Sequence, residues 1–85
     1  MPVTFDPAKD AINRHKHGLS LADIRPFDTE PTVRVDDRIE YGETRYQAFG
    51  RIHGKGHCLV FTFTDDGIRA ISFRRAHEKE LRRHG

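Results

Sequence analysis

The sequence predicts an α+β fold in which an antiparallel β-meander packs against two N-terminal helices and a C-terminal basic helix closes the chain. Three observations lead there. Strand-like segments at about 43–52, 57–64 and 68–73 are separated by the short turns Gly54-Lys55-Gly56 and Asp66-Gly67, and turns this short join antiparallel neighbours. Asp6-Pro7 reads as an N-cap with proline in the first helical turn, and Gly18 as the glycine that ends that helix. The tail from Arg75 to His84 is rich in cations and reads as a helix.

Taken in order, residues 2–5 form a short strand and a helix runs over 7–17. Ser20 with Asp23 three positions on resembles a capping box, starting a second short helix that turns Leu21, Ile24 and Phe27 inward until Pro26 distorts or ends it. Asp28-Thr29-Glu30-Pro31 is a turn. Residues 32–36 alternate, with Val33 and Val35 on one side, as a half-buried strand does. A polar turn over 37–42 then leads into the meander. Leu59, Phe61 and Phe63 share one face of their strand, and Ile71 with Phe73 one face of the next, so the apolar side should lie under the N-terminal helices.

With 85 residues, 35% apolar and 33% charged, the chain suits one domain over residues 1–85 and is too apolar for full disorder. The run Cys58-Leu59-Val60-Phe61 falls far short of the ~20 apolar residues of a membrane-spanning helix, and Asp6, Lys9 and Asp10 stand where a signal peptide would be apolar. A cytoplasmic protein without a membrane partner is expected. One cysteine, Cys58, permits no internal disulfide. Residues 1–42 hold six Lys/Arg against eight Asp/Glu, and residues 43–85 hold nine against five. The excess sits in Arg69, Arg74, Arg75, Lys79, Arg82 and Arg83, facing only Glu78 and Glu80 over residues 69–85. Such a patch attracts phosphate chains or an acidic protein; a solvated helix with pairs such as Glu78–Arg82 explains it equally.

Six segments stand in one order: Phe5-Asp6-Pro7-Ala8-Lys9; Asn13 followed by Lys16-His17-Gly18; Ser20 through Ala22; Phe27-Asp28; Glu43-Thr44-Arg45-Tyr46 with Gly50; and Arg69 through Ala76 with Glu80. Together they resemble the BrnT family of bacterial toxins over residues 5 to about 80. The resemblance implies a small RelE-like fold and an RNA-cleaving activity that stops translation. It also implies a BrnA-type antitoxin with a ribbon-helix-helix DNA-binding part, so that DNA is bound only through the complex, in a 2:2 assembly. The chain departs from the family at His84, where a tyrosine is usual, and in the segment after Ser20, which carries Asp23 and Pro26 in place of two acidic residues without proline.

RNA cleavage without a metal needs a base for the 2′-hydroxyl, an acid for the leaving 5′-oxygen and fixed donors for the extra charge on phosphorus. Three places offer such groups. Lys16 and His17 lie at a helix end, as a phosphate-binding and proton-transfer pair or as cations meeting the helix dipole. Glu43 and Arg45 share a strand face with Gln47, as a site or as an exposed ion pair. Arg69 and Arg74 have opposite strand parity, so they meet only if Arg74 lies past the strand end, beside the last helix, as a phosphate ligand, a surface arginine or an antitoxin anchor. The catalytic candidates are therefore Arg74, Arg69, Arg45, Glu43 and His17, with Lys16, Arg75, Lys79, Arg82 and Arg83 binding RNA. His53 and His57 bracket a turn, where exposed side chains are expected, and lack ligand-spaced partners; no metal or cofactor is assigned. His77 and His84, seven apart, would share a helix face bordering RNA or protein. The rival reading is a non-catalytic RNA- or protein-binding module, or a degenerate, inactive toxin.

Overall fold

The computed structural model describes residues 2–84, the His84 side chain apart. The chain runs β1 (Val3–Phe5), α1 (Pro7–His17), a single 3-10 turn (Leu21–Asp23), β2 (Thr32–Asp36), β3 (Arg45–Ile52), β4 (Lys55–Phe63), β5 (Ile68–Arg75) and α2 (Glu78–His84). The strands form one sheet in the order β1-β5-β4-β3-β2. The expected antiparallel meander is β3 through β5; β2 extends it antiparallel to β3, and β1 adds a parallel edge along Ile68, Arg69 and Ala70, which makes the sheet mixed. None of the described helices is long and apolar enough to cross a membrane.

Local chemistry accounts for each boundary. The Asp6 carboxylate accepts the Ala8 N–H at 2.9 Å, Pro7 occupies the first helical turn, and Gly18 closes α1 in the left-handed region at φ 71° with its N–H on Arg14 O. The expected second helix is only one 3-10 turn, so the helices are not an N-terminal pair. Ser20 does cap it, accepting the Ala22 N–H, but Pro26 has no N–H to donate and disfavours helical geometry at Arg25 before it. Ile24 is already extended, and Leu21 goes into the core with Ile24 and Phe27 against it, as expected.

The β3–β4 reversal is tighter than the expected Gly54-Lys55-Gly56. His53 and Gly54 form a two-residue turn at φ 51° and 77°, and β4 begins at Lys55. Asp28 clamps it, one carboxylate oxygen accepting the His53 N–H and the other the Gly54 N–H, both at 2.8 Å. Glycine is needed at position 67 for another reason. A Cβ there would lie 2.1 Å from Pro2 O, where β1 crosses the β4–β5 turn.

The sheet is covered on both faces. Leu21, Ala48, Ile52, Leu59, Phe61, Ala70 and Phe73 form the core on one face, with Leu19, Ile24 and Phe27 of the segment around the 3-10 turn packed on it. α1 contributes no residue to this core, against the expectation that it would cover the apolar side, and lies along β5 through its buried Asn13. Phe49, Cys58, Val60 and Ala76, with Ile71 and Leu81, form a smaller core on the other. Phe63 shares the first face with Leu59 and Phe61 as expected, but it lies past the covering elements and is 57% exposed.

Ile71 was expected to share a face with Phe73 and does not. A β-bulge puts Val60 opposite Ser72 but Phe61 opposite Ala70, leaving Ile71 as the extra residue that turns to the second face. β5 also runs through Arg75, beyond the expected end at 73, and α2 starts at Glu78 rather than 75.

One buried amide joins α1 to the sheet. Asn13 is 3% exposed; its Nδ2 donates to Leu19 O and Phe73 O at 2.8 Å each, and its Oδ1 accepts the Phe73 N–H at 2.9 Å. β1 has ended at Phe5 opposite Ala70, so Asn13 takes the place of a neighbouring strand at Phe73. Asn13→Ala would strand these backbone groups, each worth about 1–3 kcal/mol. A loss of about 3 kcal/mol, or roughly 10–20 °C in thermal midpoint for a chain this size, is expected by calorimetry. Asn13→Asp, which keeps the shape but not the donor, should lose nearly as much at neutral pH.

Candidate functional site

The second sheet face carries a cavity of about 270 Å3 between the C-terminal end of α1, the β2–β3 connection and the strands. Its floor is Gln47 of β3, Cys58 and Val60 of β4, and Ile71 and Ser72 of the bulge. Lys16, His17, Arg38 and Arg74 complete the lining. Three cations and an imidazole from distant stretches of chain therefore meet around one hollow.

Each is placed by identifiable contacts. Arg74 lies inside β5 opposite Cys58, not past the strand end, and so points to the second face. Its Nη1 and Nη2 donate to the two carboxylate oxygens of Glu80 at 3.0 and 2.9 Å, which fixes the plane of the guanidinium from α2. Glu80 also accepts the His77 N–H at 3.2 Å. Chiefly through Arg74, the Glu80 carboxyl is held down to about 2 from an ordinary 4.5. The contribution of this pair to stability is thus present above pH 4.5 and is lost as pH falls toward about 2.

Lys16 and His17 come from the last turn of α1, one turn beyond Asn13. Desolvation, then the charges of Lys16 and Arg74, push the His17 imidazole below its usual range. The ring is accordingly neutral at physiological pH and able to accept a proton.

Arg38 was not among the residues singled out from the sequence. Its Nε and Nη2 donate to the two oxygens of Asp36 at 2.7 and 2.8 Å, and the Tyr41 hydroxyl donates to the same carboxylate at 3.4 Å. The Asp36 side chain is fully buried while that of Arg38 is 61% exposed. The signal for this was an acid at an inward-facing strand end with an arginine two residues on, inside what reads as an ordinary polar turn. Gln47 was noticed only as a neighbour of Glu43 and Arg45; its 7% exposure puts it in the floor.

The remaining expected residues divide. Glu43, Arg45 and Arg69 form a separate cluster on the same sheet face: Arg69 Nη2 lies 2.7 Å from one Glu43 oxygen, and Arg45 Nε 3.1 Å from the other. Arg45 also stacks over Tyr41, 4.1 Å from the ring centre. The bulge brings Arg69 onto the face of Arg74, since Arg69 pairs with Thr62 and Arg74 with Cys58, four residues apart on one strand. The parity expected from counting residues is thereby reversed. Arg75 points to the opposite face, where its Nε donates to Gly56 O. Lys79, Arg82 and Arg83 are exposed along α2 and do not line the cavity.

Among the expected histidines, His53 is exposed in its turn. His57 is buried, stacked on Phe73 with ring centres 5.0 Å apart, against the expectation of an exposed side chain. His77 precedes α2, and the His84 side chain lies outside the described residues. Burial pushes the Cys58 thiol up to about 11, so this cysteine is an uncharged floor residue at neutral pH.

The arrangement combines oriented guanidiniums, a lysine and a neutral imidazole around a hollow of nucleotide dimensions, the equipment of phosphodiester chemistry. A comparison with curated proteins finds no match. The family model for the ribonuclease toxin BrnT of type II toxin-antitoxin systems matches residues 5–80, nearly the whole chain and all the cavity-lining residues. The chain belongs to the BrnT family of ribonuclease toxins, whose type II systems pair the toxin with an antitoxin.

Proposed function

We propose that this protein cleaves RNA without a metal at the cavity mouth, inhibits translation by doing so, and is neutralised by a BrnA-type antitoxin. The observation that supports it best is the grouping of a proton-accepting imidazole with Lys16 and Arg74 around a single cavity. His17 takes the proton from the ribose 2′-hydroxyl, the 2′-oxygen bonds to phosphorus, and the bond to the 5′-oxygen breaks as that oxygen takes a proton from solvent water, leaving a 2′,3′-cyclic phosphate and a 5′-hydroxyl. Arg74, aimed by Glu80, and Lys16 hold the nonbridging oxygens as charge builds on them. Arg45 and Arg69, oriented by Glu43, engage the strand further along the same face, with the α2 cations Lys79, Arg82 and Arg83 at the periphery. The antitoxin carries a ribbon-helix-helix part and forms a 2:2 complex in the cytoplasm, where DNA is bound through the antitoxin. We read the fold as RelE-like on the strength of the family resemblance, with the five-stranded mixed sheet and its two helices as the supporting observation.

Purified protein should fragment RNA in the presence of EDTA. Arg74→Ala should slow cleavage by about 100-fold or more, as loss of one charge-stabilising donor does, with the circular-dichroism spectrum retained. Intact RNA with the wild-type protein, on ribosomes as well as free, would favour the binding-module reading. The lowered His17 pKa gives a second test. A base must be unprotonated, so kcat/KM should rise with pH to a plateau whose inflection lies below 6.5. His17→Ala should remove that inflection and about 100-fold or more of the rate.

A further inference from the structure

We propose that the cavity is a subsite for an unstacked nucleobase and that Gln47 is the residue that reads its edge. This rests on the ribonuclease reading and names what that site selects. Gln47 is 93% buried by its 7% exposure, lines the cavity, and has no hydrogen-bond partner for its carboxamide among the described residues. No buried side-chain polar atom among the described residues lacks a partner, so the polar atoms of this amide open onto the cavity, where a ligand can meet both its donor and its acceptor.

The lining selects the ligand's chemistry. A phosphate only accepts hydrogen bonds, so it would satisfy the NH2 of Gln47 and leave the carbonyl unmet. It would also gain nothing from Val60, Ile71 and Cys58, which make the neighbouring walls apolar. A base has apolar faces for those walls and an edge on which donor and acceptor stand side by side, the pattern a Gln amide matches with two hydrogen bonds. The cations agree with this division. Lys16, Arg38 and Arg74 line the cavity with long, partly exposed side chains, where the phosphates flanking an inserted base would lie. Arg38 and Arg74 repel one another electrostatically across the hollow, and each is anchored from behind by its own acid, Asp36 or Glu80.

Binding of uncleavable 2′-deoxy homo-oligonucleotides of the four bases, read by fluorescence anisotropy, tests this apart from catalysis. The wild-type protein should prefer one base by about tenfold or more, the discrimination a bidentate contact provides. Gln47→Leu should erase that preference while leaving the weaker three unchanged, and Arg38→Ala should weaken all four alike and flatten the salt dependence by about one phosphate contact. Should Gln47→Leu melt far below the wild type, the isosteric Gln47→Glu replaces it; having lost the donor pair, it should shift the preference. No discrimination by the wild type, or an equal loss for all four bases on changing Gln47, would overturn the proposal. Base discrimination by a protein that cleaves no RNA would sink the ribonuclease reading alone.

Discussion

The carboxamide of Asn13 is the contact on which the site depends. α1 is punctuated locally by Asp6, Pro7 and Gly18, yet nothing in those caps says where the helix should sit against the sheet. Asn13 answers that by bonding both backbone groups of Phe73, the residue immediately before Arg74. Lys16 and His17 follow it by three and four positions, the spacing that stacks side chains along one helix face. A single amide, buried where β1 runs out, thus sets the helix end that carries the imidazole against the strand that carries the guanidinium. Because the amide replaces strand-to-strand bonding, it tolerates neither shortening nor loss of its donor.

The bulge at Ile71 is the second constraint, and it acts on direction rather than position. Without it, Arg69 and Arg74 would leave β5 on opposite faces, one of them among the apolar side chains of the first core. One extra residue turns the strand's parity, puts Ile71 into the cavity wall, and gives both arginines to the polar face. Ser72 and Ile71 then oppose Val60 alone, and all three lie in the floor with Gln47.

What could be read from the residues follows the range of the interactions involved. Caps, turns and alternation act over a few positions, and α1, β2 and the meander were legible from them. The 3-10 turn was overestimated because Ser20 and Asp23 signal a start, while the effect of Pro26 on Arg25 shortens the element from the far side. The bulge was invisible because it is a property of two strands together. Arg74 was identified for its residue type and neighbours, but its route into the cavity was assigned to the wrong element. Arg38 escaped notice, and Gln47 counted only as a neighbour of Glu43 and Arg45, because their meaning lies in tertiary placement: a buried acid beneath one, and a place in the cavity floor for the other.

The charges at the site argue for orientation over attraction. Arg74 is matched by Glu80, Arg38 by Asp36, and Arg45 with Arg69 by Glu43, so Lys16 is left as the cavity cation without a carboxylate partner among the described residues. Net attraction for a polyanion is therefore weaker than four arginines suggest, and the chain's formal charge of +2 says the same. Each acid nevertheless removes rotamer freedom from the guanidinium it binds, and a guanidinium's five N–H groups leave Arg38 and Arg74, which line the hollow, further donors beyond those their acids take. Donors held in place before the substrate arrives need no reorganisation as charge develops on phosphorus, and that is where a stabilising interaction accelerates a reaction rather than merely tightening binding.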